Sequence, residues 1–167
     1  MKPILNIADL TYTDWGRGAT FAAKIGAIGM KIGAQKLGYN VTVVPPGKRA
    51  FPRHSHRANE EMFFILEGSG ELRVGTDVHP LRSGDVIACP SGGPETAHQI
   101  VNTSDAELRY LSVSTMISPE IAEYPDSGKV GMFHYLPPDA NGAPQRMRYV
   151  IENQQTDMDD YWKGEAE

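Results

Sequence analysis

The chain has 167 residues, 40% of them hydrophobic and 22% charged, with a formal net charge of −5. That length can bury a hydrophobic core without disulfide staples, and it sets an expectation of one domain over residues 1–167. The acidic balance shows no Lys/Arg footprint for nucleic acid, no apolar run spans a membrane, and a single cysteine excludes an intramolecular disulfide framework.

The opening Met-Lys-Pro-Ile-Leu-Asn holds no apolar stretch of signal-peptide length, so a soluble, cytoplasmic protein is expected. Asp14-Trp15-Gly16-Arg17-Gly18 reads as a loop. From Phe21 to Val44 a Gly/Ala/Ile/Val-rich segment is punctuated by Gly26, Gly29, Gly33 and Gly38. A continuous helix would lose roughly 1 kcal/mol at each glycine, so strands are expected. The clearest is Tyr39–Val44, stopped by Pro45-Pro46-Gly47.

From Gly47 to Met116 strand and turn alternate. Strands are expected at Glu61–Leu66, Glu71–Val74, Val86–Cys89, His98–Asn102 and Leu108–Thr115. Turns fall at 67–70, 75–77, 81–85, 90–94 and 102–105, and His79 before Pro80 is placed in a turn region. Short strands at this spacing predict an all-β antiparallel sandwich or barrel, about residues 21–116. Residues 117–167 are broken by prolines 119, 125, 137, 138 and 144, and Asp157–Tyr161 is acidic. They read as an extended tail wrapping the barrel, with a short helix at Pro119–Glu123.

The chemistry lies in two windows. His54 and His56 are two residues apart, so an extended backbone sends both imidazoles from one face, about 6–7 Å apart along the strand. Two such rings can converge on one ion at about 2.0–2.1 Å each. Glu61 heads an apolar face it shares with Phe63 and Ile65, where a buried charge needs a partner. A metal on the two histidines is such a partner. In the second window His98 shares an apolar face with Ile100 and Asn102.

Together the windows resemble the two motifs of the cupin superfamily. His54, His56, Glu61 and Gly68 follow the first motif, after a glycine at Gly47, and Gly84, Pro90, Gly92, His98 and Asn102 follow the second. The fifteen residues from Ser69 to Ser83 match the short spacing between motifs in small bacterial cupins. There are two departures: one extra residue between Gly47 and His54, and five residues instead of two between Gly92 and His98. The second lengthens the loop entering the last ligand strand, around Gly93-Pro94-Glu95. The resemblance covers residues 47–102 and implies a double-stranded β-helix or jelly roll. It also implies one divalent transition metal (Zn, Fe, Ni, Mn or Co) on His54, His56, Glu61 and His98.

Plainer readings stand beside these. The four residues could be a polar cluster inherited from a metal-binding ancestor. Glu60 is a rival to Glu61, but only Glu61 keeps six residues before Gly68. His79 reads as a surface histidine, His134 as a tail residue without a role, and Cys89 as a small buried apolar side chain. Lys48, Arg49, Arg53 and Arg57 form either a solvated face or, chiefly through Arg49 and Arg53, a greeting for an anionic substrate. Glu95 is the candidate acid–base or substrate-binding group of the longer loop.

Four protein ligands leave two octahedral positions open for water or substrate. The resemblance to stand-alone cupins grouped with mannose-6-phosphate-isomerase-like proteins implies a metal-dependent isomerase acting on a sugar phosphate or a similar polar anionic substrate. The alternatives are an iron-dependent dioxygenase or decarboxylase, and a metal-containing binding module without turnover. Phe63 stands where cupin lyases of dimethylsulfoniopropionate carry a tyrosine, which counts against that activity. A small-molecule substrate is expected, and a homodimer pairing through the strand-rich segment 21–44.

Overall fold

The computed structural model describes residues 2–136, 139 and 145–152, and its regular structure is almost entirely strand. In chain order these are β1 (Thr13–Arg17), β2 (Phe21–Ala27), β3 (Leu37–Val44), β4 (Ser55–His56), β5 (Glu61–Glu67), β6 (Ser69–Val74) and β7 (Asp77–Arg82). There follow β8 (Val86–Cys89), β9 (His98–Val101), β10 (Leu108–Thr115), β11 (Glu120–Tyr124), β12 (Lys129–Leu136) and β13 (Gln145–Ile151). Short 3₁₀ turns at Ile7–Asp9, Gly29–Ile32 and Pro94–Thr96 are the helical segments among the described residues. No helix among them is long and apolar enough to cross a membrane.

One antiparallel sheet runs β1-β2-β3-β10-β5-β8. Two smaller sheets, β7-β6-β9 and β13-β12-β11-β4, are joined by a bridge between His54 and His98. The barrel core lies between the sheets. Val44, Phe63, Ile65, Ile87, Leu108 and Tyr110 from the large sheet meet Leu72, Leu81 and Ile100 from β6, β7 and β9. Period-2 alternation sends every second side chain of β5 and β10 inward. In β3 the run Val41–Val44 is buried throughout. Its outer face, Val41 and Val43, is covered by Leu10 and Ile28 with Leu5 and Tyr12, so both faces of the strand are dry.

The motif glycine and asparagine have plain physical roles. Gly68 joins β5 to β6 at φ +87°, and a Cβ there would collide with the Glu107 carbonyl oxygen, so no other residue fits. Asn102, fully buried, donates to the carbonyls of Val44 and Ala106 at 2.8 and 2.7 Å. Its own oxygen accepts from the Ser104 amide and hydroxyl, which fixes the turn into β10.

Several expectations need correcting. The loop at Asp14–Gly18 is mostly strand: β1 pairs with β2 from Thr13 to Arg17, and all its residues are exposed, so no alternation marks it. His79 lies within β7, not in a turn. β7 is an edge strand, where Pro80 forfeits no inner ladder bond. The helix placed at Pro119–Glu123 is β11, in which Glu120 and Ala122 are buried and Ile121 exposed, a strand period. The tail is extended, but it is paired: β11, β12 and β13 form a sheet that docks on β4 through Ala122–His56 and Glu123–Ser55. The acidic stretch Asp157–Tyr161 and prolines 137, 138 and 144 lie outside the described residues.

Candidate metal centre

His54 and His98 are directly opposed across an antiparallel bridge, with His54 N–H donating to the His98 carbonyl at 3.1 Å and the reverse bond at 2.8 Å. Opposed residues share a face, so their rings lie side by side, 4.9 Å between centroids. His56, two residues along, places its ring 4.9 Å from that of His54. Glu61 comes from the other sheet, at the head of β5, and closes the group across the barrel.

One oxygen gathers the three rings. Glu61 Oε2 lies 2.9 Å from His98 Nε2, 3.5 Å from His56 Nε2 and 3.8 Å from His54 Nε2. His54, Glu61 and His98 each offer a ligand atom within 4.8 Å of the others. Donor separations near 3 Å are what ligands about 2.0–2.2 Å from a shared ion leave between themselves.

The electrostatics fit a cation there. His54 Nδ1 faces the Pro52 carbonyl at 2.9 Å, which only accepts, so Nδ1 carries the hydrogen. Burial pushes the His54 pKa down to about 4 against the opposing pull of Glu61, so the ring is neutral at neutral pH. Its Nε2 lone pair therefore points at a carboxylate oxygen, an arrangement that calls for a positive charge between them. Both ring nitrogens of His56 are buried without a hydrogen-bond partner. Burial raises the Glu61 carboxyl, but contacts with His56 and His98 and the charge of the rings outweigh it and hold it well below the usual range. Burial also lowers His56, and there Glu61 and Glu120 outweigh it, so its pKa rises. A donor set of imidazoles and one carboxylate suits Zn, Fe, Ni, Mn or Co.

Two residues of the tail sheet, missed in the sequence, complete the surroundings. Glu120, 3% exposed, accepts from the amides of Arg57 (3.0 Å), Ala58 (3.2 Å), Asn59 (2.7 Å) and Ile121 (2.8 Å), and from the Asn59 side chain. Its Oε2 also stands 3.7 Å from His56 Nδ1. At that distance Glu120 acts on His56 as a nearby charge and not as a hydrogen-bond partner. Tyr124 stacks on His54, centroids 6.0 Å apart at 22°. Burial raises its phenol pKa, and the positive charges of Arg148 and Arg146 offset this in part. The alternation Glu120-Ile-Ala-Glu-Tyr124 was the available signal.

The other singled-out residues are engaged elsewhere. Arg49 reaches Gln99 Oε1 at 3.4 Å, and Arg53 bonds Asp126 at 2.9 Å and the Gly75 carbonyl at 2.8 Å. Lys48 donates to the Ala19 carbonyl, and Arg57 pairs with Glu123. Glu95, exposed in the 3₁₀ turn of the longer loop, folds back to accept the Gly93 amide at 2.8 Å, and its own backbone amide followed by that of Gly93 lowers its pKa. Glu60 and His79 are exposed, and His134 bonds Ser118 at 2.8 Å.

Cys89 pairs with Glu61 across β8 and β5 and is 3% exposed. Burial, then the Glu61 charge, pushes its thiol up to about 12. The native protein is therefore expected to leave Cys89 unmodified by a thiol-specific disulfide reagent at pH 8, and to react with one equivalent only after unfolding. Rapid native reaction, followed by absorbance, would contradict this burial.

Residues 40–114 match the family model described as Cupin domain. Those residues are a cupin domain. A protein from Acidithiobacillus ferrooxidans named as a candidate sugar phosphate isomerase shares the fold at TM-score 0.73 and 22% identity, over 95% of this chain and 94% of that one. A cupin-superfamily sugar phosphate isomerase from Silicibacter pomeroyi superposes at TM-score 0.72 with 25% identity, over 90% and 92% of the two chains. An oxalate-binding protein from Thermotoga maritima is 35% identical over 75 residues, 44% of this chain and 58% of its own. The curated relatives matched are covered over 54–59% of their lengths.

Proposed function

We propose that the protein is a metal-dependent isomerase of a sugar phosphate, with the ion held by His54, His56, Glu61 and His98. The carrying observation is the convergence of three imidazole Nε2 atoms on Glu61 Oε2. The resemblance in fold and length to the Silicibacter pomeroyi isomerase supports the choice of reaction. The bound metal would supply Lewis acidity to a carbonyl–hydroxyl pair. Phe51, Phe63, Ile100 and Tyr110 wall a small cavity beside His54 and His98 and keep that side of the centre dry. Tyr124 keeps its proton at neutral pH and can donate a hydrogen bond beside His54.

The test is interconversion of aldose and ketose phosphates, followed by NMR with protein loaded in turn with Zn, Fe, Ni, Mn and Co. Turnover that disappears on chelation is expected. No interconversion with any of the five ions would overturn the reading. A second reading, decarboxylation or dioxygenation of a small acid, is favoured by the oxalate-binding relative, and consumption of oxalate by the loaded protein would establish it.

A homodimer is part of the same proposal. β1 lies at the edge of the large sheet beside segment 21–44, with all five residues exposed and Trp15 at 51%. An open edge of this kind is a template for pairing with a second copy. Light scattering at micromolar concentration is expected to return twice the chain mass, and a particle of one chain would sink the dimer.

A further inference from the structure

The sheet β13-β12-β11-β4 brings more than Glu120 and Tyr124 to the candidate metal centre. Directly paired residues lie on one side of a sheet, and so do residues two apart on a strand. His56 pairs with Ala122, Ala122 with Gly131, and Gly131 with Val150. One step along the same face, Glu120 pairs with Phe133 and Phe133 with Arg148, while Arg146 pairs with Tyr135. The face that carries His56 thus carries Tyr124, Phe133, Arg146 and Arg148.

Among the described residues the two arginines are held together without a counter-ion. Both guanidiniums lie over the Phe133 ring, Arg148 at 5.5 Å and Arg146 at 5.9 Å from its centroid. A guanidinium over a ring leaves its N–H edge free to donate. Arg53, Arg57, Arg73 and Arg109 each have a carboxylate partner, but neither Arg146 nor Arg148 forms a salt bridge among the described residues. Two cations that no carboxylate among the described residues pairs, in a protein of net charge −5, are a local demand for an anion. The register places both arginines on the face that carries His56 and Tyr124, and Tyr124 stacks on His54. Three strand spacings of about 4.8 Å separate β4 from β13 along the sheet.

We propose that Arg146 and Arg148, platformed on Phe133, form the subsite that grips the phosphate of a substrate whose other end reaches the His54/His56/Glu61/His98 centre. The forked donors of two arginines match a phosphate dianion better than a single point charge would. This assignment rests on the sugar-phosphate reading above, and it replaces Arg49 and Arg53 as the anion-binding pair.

The probe is inorganic phosphate, titrated into the full chain and followed by calorimetry and ³¹P NMR. Metal-free wild type is expected to bind it. Arg146→Gln/Arg148→Gln should weaken binding about tenfold or more, and Arg82→Gln, exposed on β7, should not. Arg146→Lys/Arg148→Lys, with charge but no fork, should lie between, and circular dichroism confirms that each variant is folded. In Mn²⁺-loaded protein the bound phosphate resonance should broaden, and a hexose 6-phosphate should bind more tightly than phosphate alone. Equal phosphate affinity in wild type and the glutamine double variant overturns the subsite, as does wild type that binds none. A phosphate unbroadened by bound Mn²⁺, or a hexose phosphate that binds no better, overturns its place in substrate recognition. If instead the arginine-dependent binding holds but no metal loads, the failure belongs to the isomerase reading.

Discussion

Glu61→Ala and His98→Ala are each expected to lose metal affinity by roughly two orders of magnitude or more, while Glu60→Ala and His79→Ala keep the wild-type metal content. Glu61 alone faces all three imidazoles, with Oε2 between 2.9 and 3.8 Å from their Nε2 atoms. Without it the three rings have no carboxylate on their Nε2 side to share a divalent ion. His98 is the contribution of the second motif, fixed opposite His54 by two backbone bonds, and no spare imidazole among the described residues stands behind it. Glu60 is exposed, and His79 is exposed on the edge strand β7. Metal per chain by plasma mass spectrometry separates the four variants. Thermal melts add a second readout, since a ligand present at about 1,000 times its dissociation constant contributes about 4 kcal/mol to stability. His98→Ala with a full complement of metal would refute the four-ligand centre.

Glu120→Ala is expected to destabilise the fold by about 3–5 kcal/mol and to weaken metal binding by about 10–100-fold. The carboxylate is buried and receives four backbone N–H groups and the Asn59 amide, so alanine leaves those donors without their acceptor. That loop, residues 57–59, runs between the strand of His56 and the strand of Glu61. Glu120→Gln keeps the side chain's size and one acceptor oxygen, and should lose about 1–2 kcal/mol. Urea unfolding measures the first effect and competition with a chelator the second. A Glu120→Ala midpoint indistinguishable from wild type would mean that the network carries no stability.

The centre was legible where its signals were local. His54 and His56 are spaced for one strand face, Glu61 leads an apolar alternation, and the glycines and asparagine of both windows sit where the backbone turns. Glu120 was not legible, because its partners are about sixty residues earlier and meet it only through the β11–β4 pairing. Proline 119 and the neighbouring prolines suggested an interrupted tail, and a five-residue strand beside them has too few residues to assert its period against that. Arg49 and Arg53 were singled out because they adjoin the histidines in sequence. Nearness in sequence does not set where a long side chain goes, and both guanidiniums reach partners of their own.

The family match ends at residue 114, while Glu120 and Tyr124 lie just beyond it in β11. The unit that recurs as a cupin domain is therefore not the whole of the unit that organises this centre. The three strands that follow it set Glu120 and Tyr124 beside the candidate centre and carry Phe133, Arg146 and Arg148 on the same face, apart from the segment that supplies His54, His56, Glu61 and His98. Grafting β12 and β13 from another member, with β11 kept, would be a way to retune which molecules enter without rebuilding the chemistry they meet.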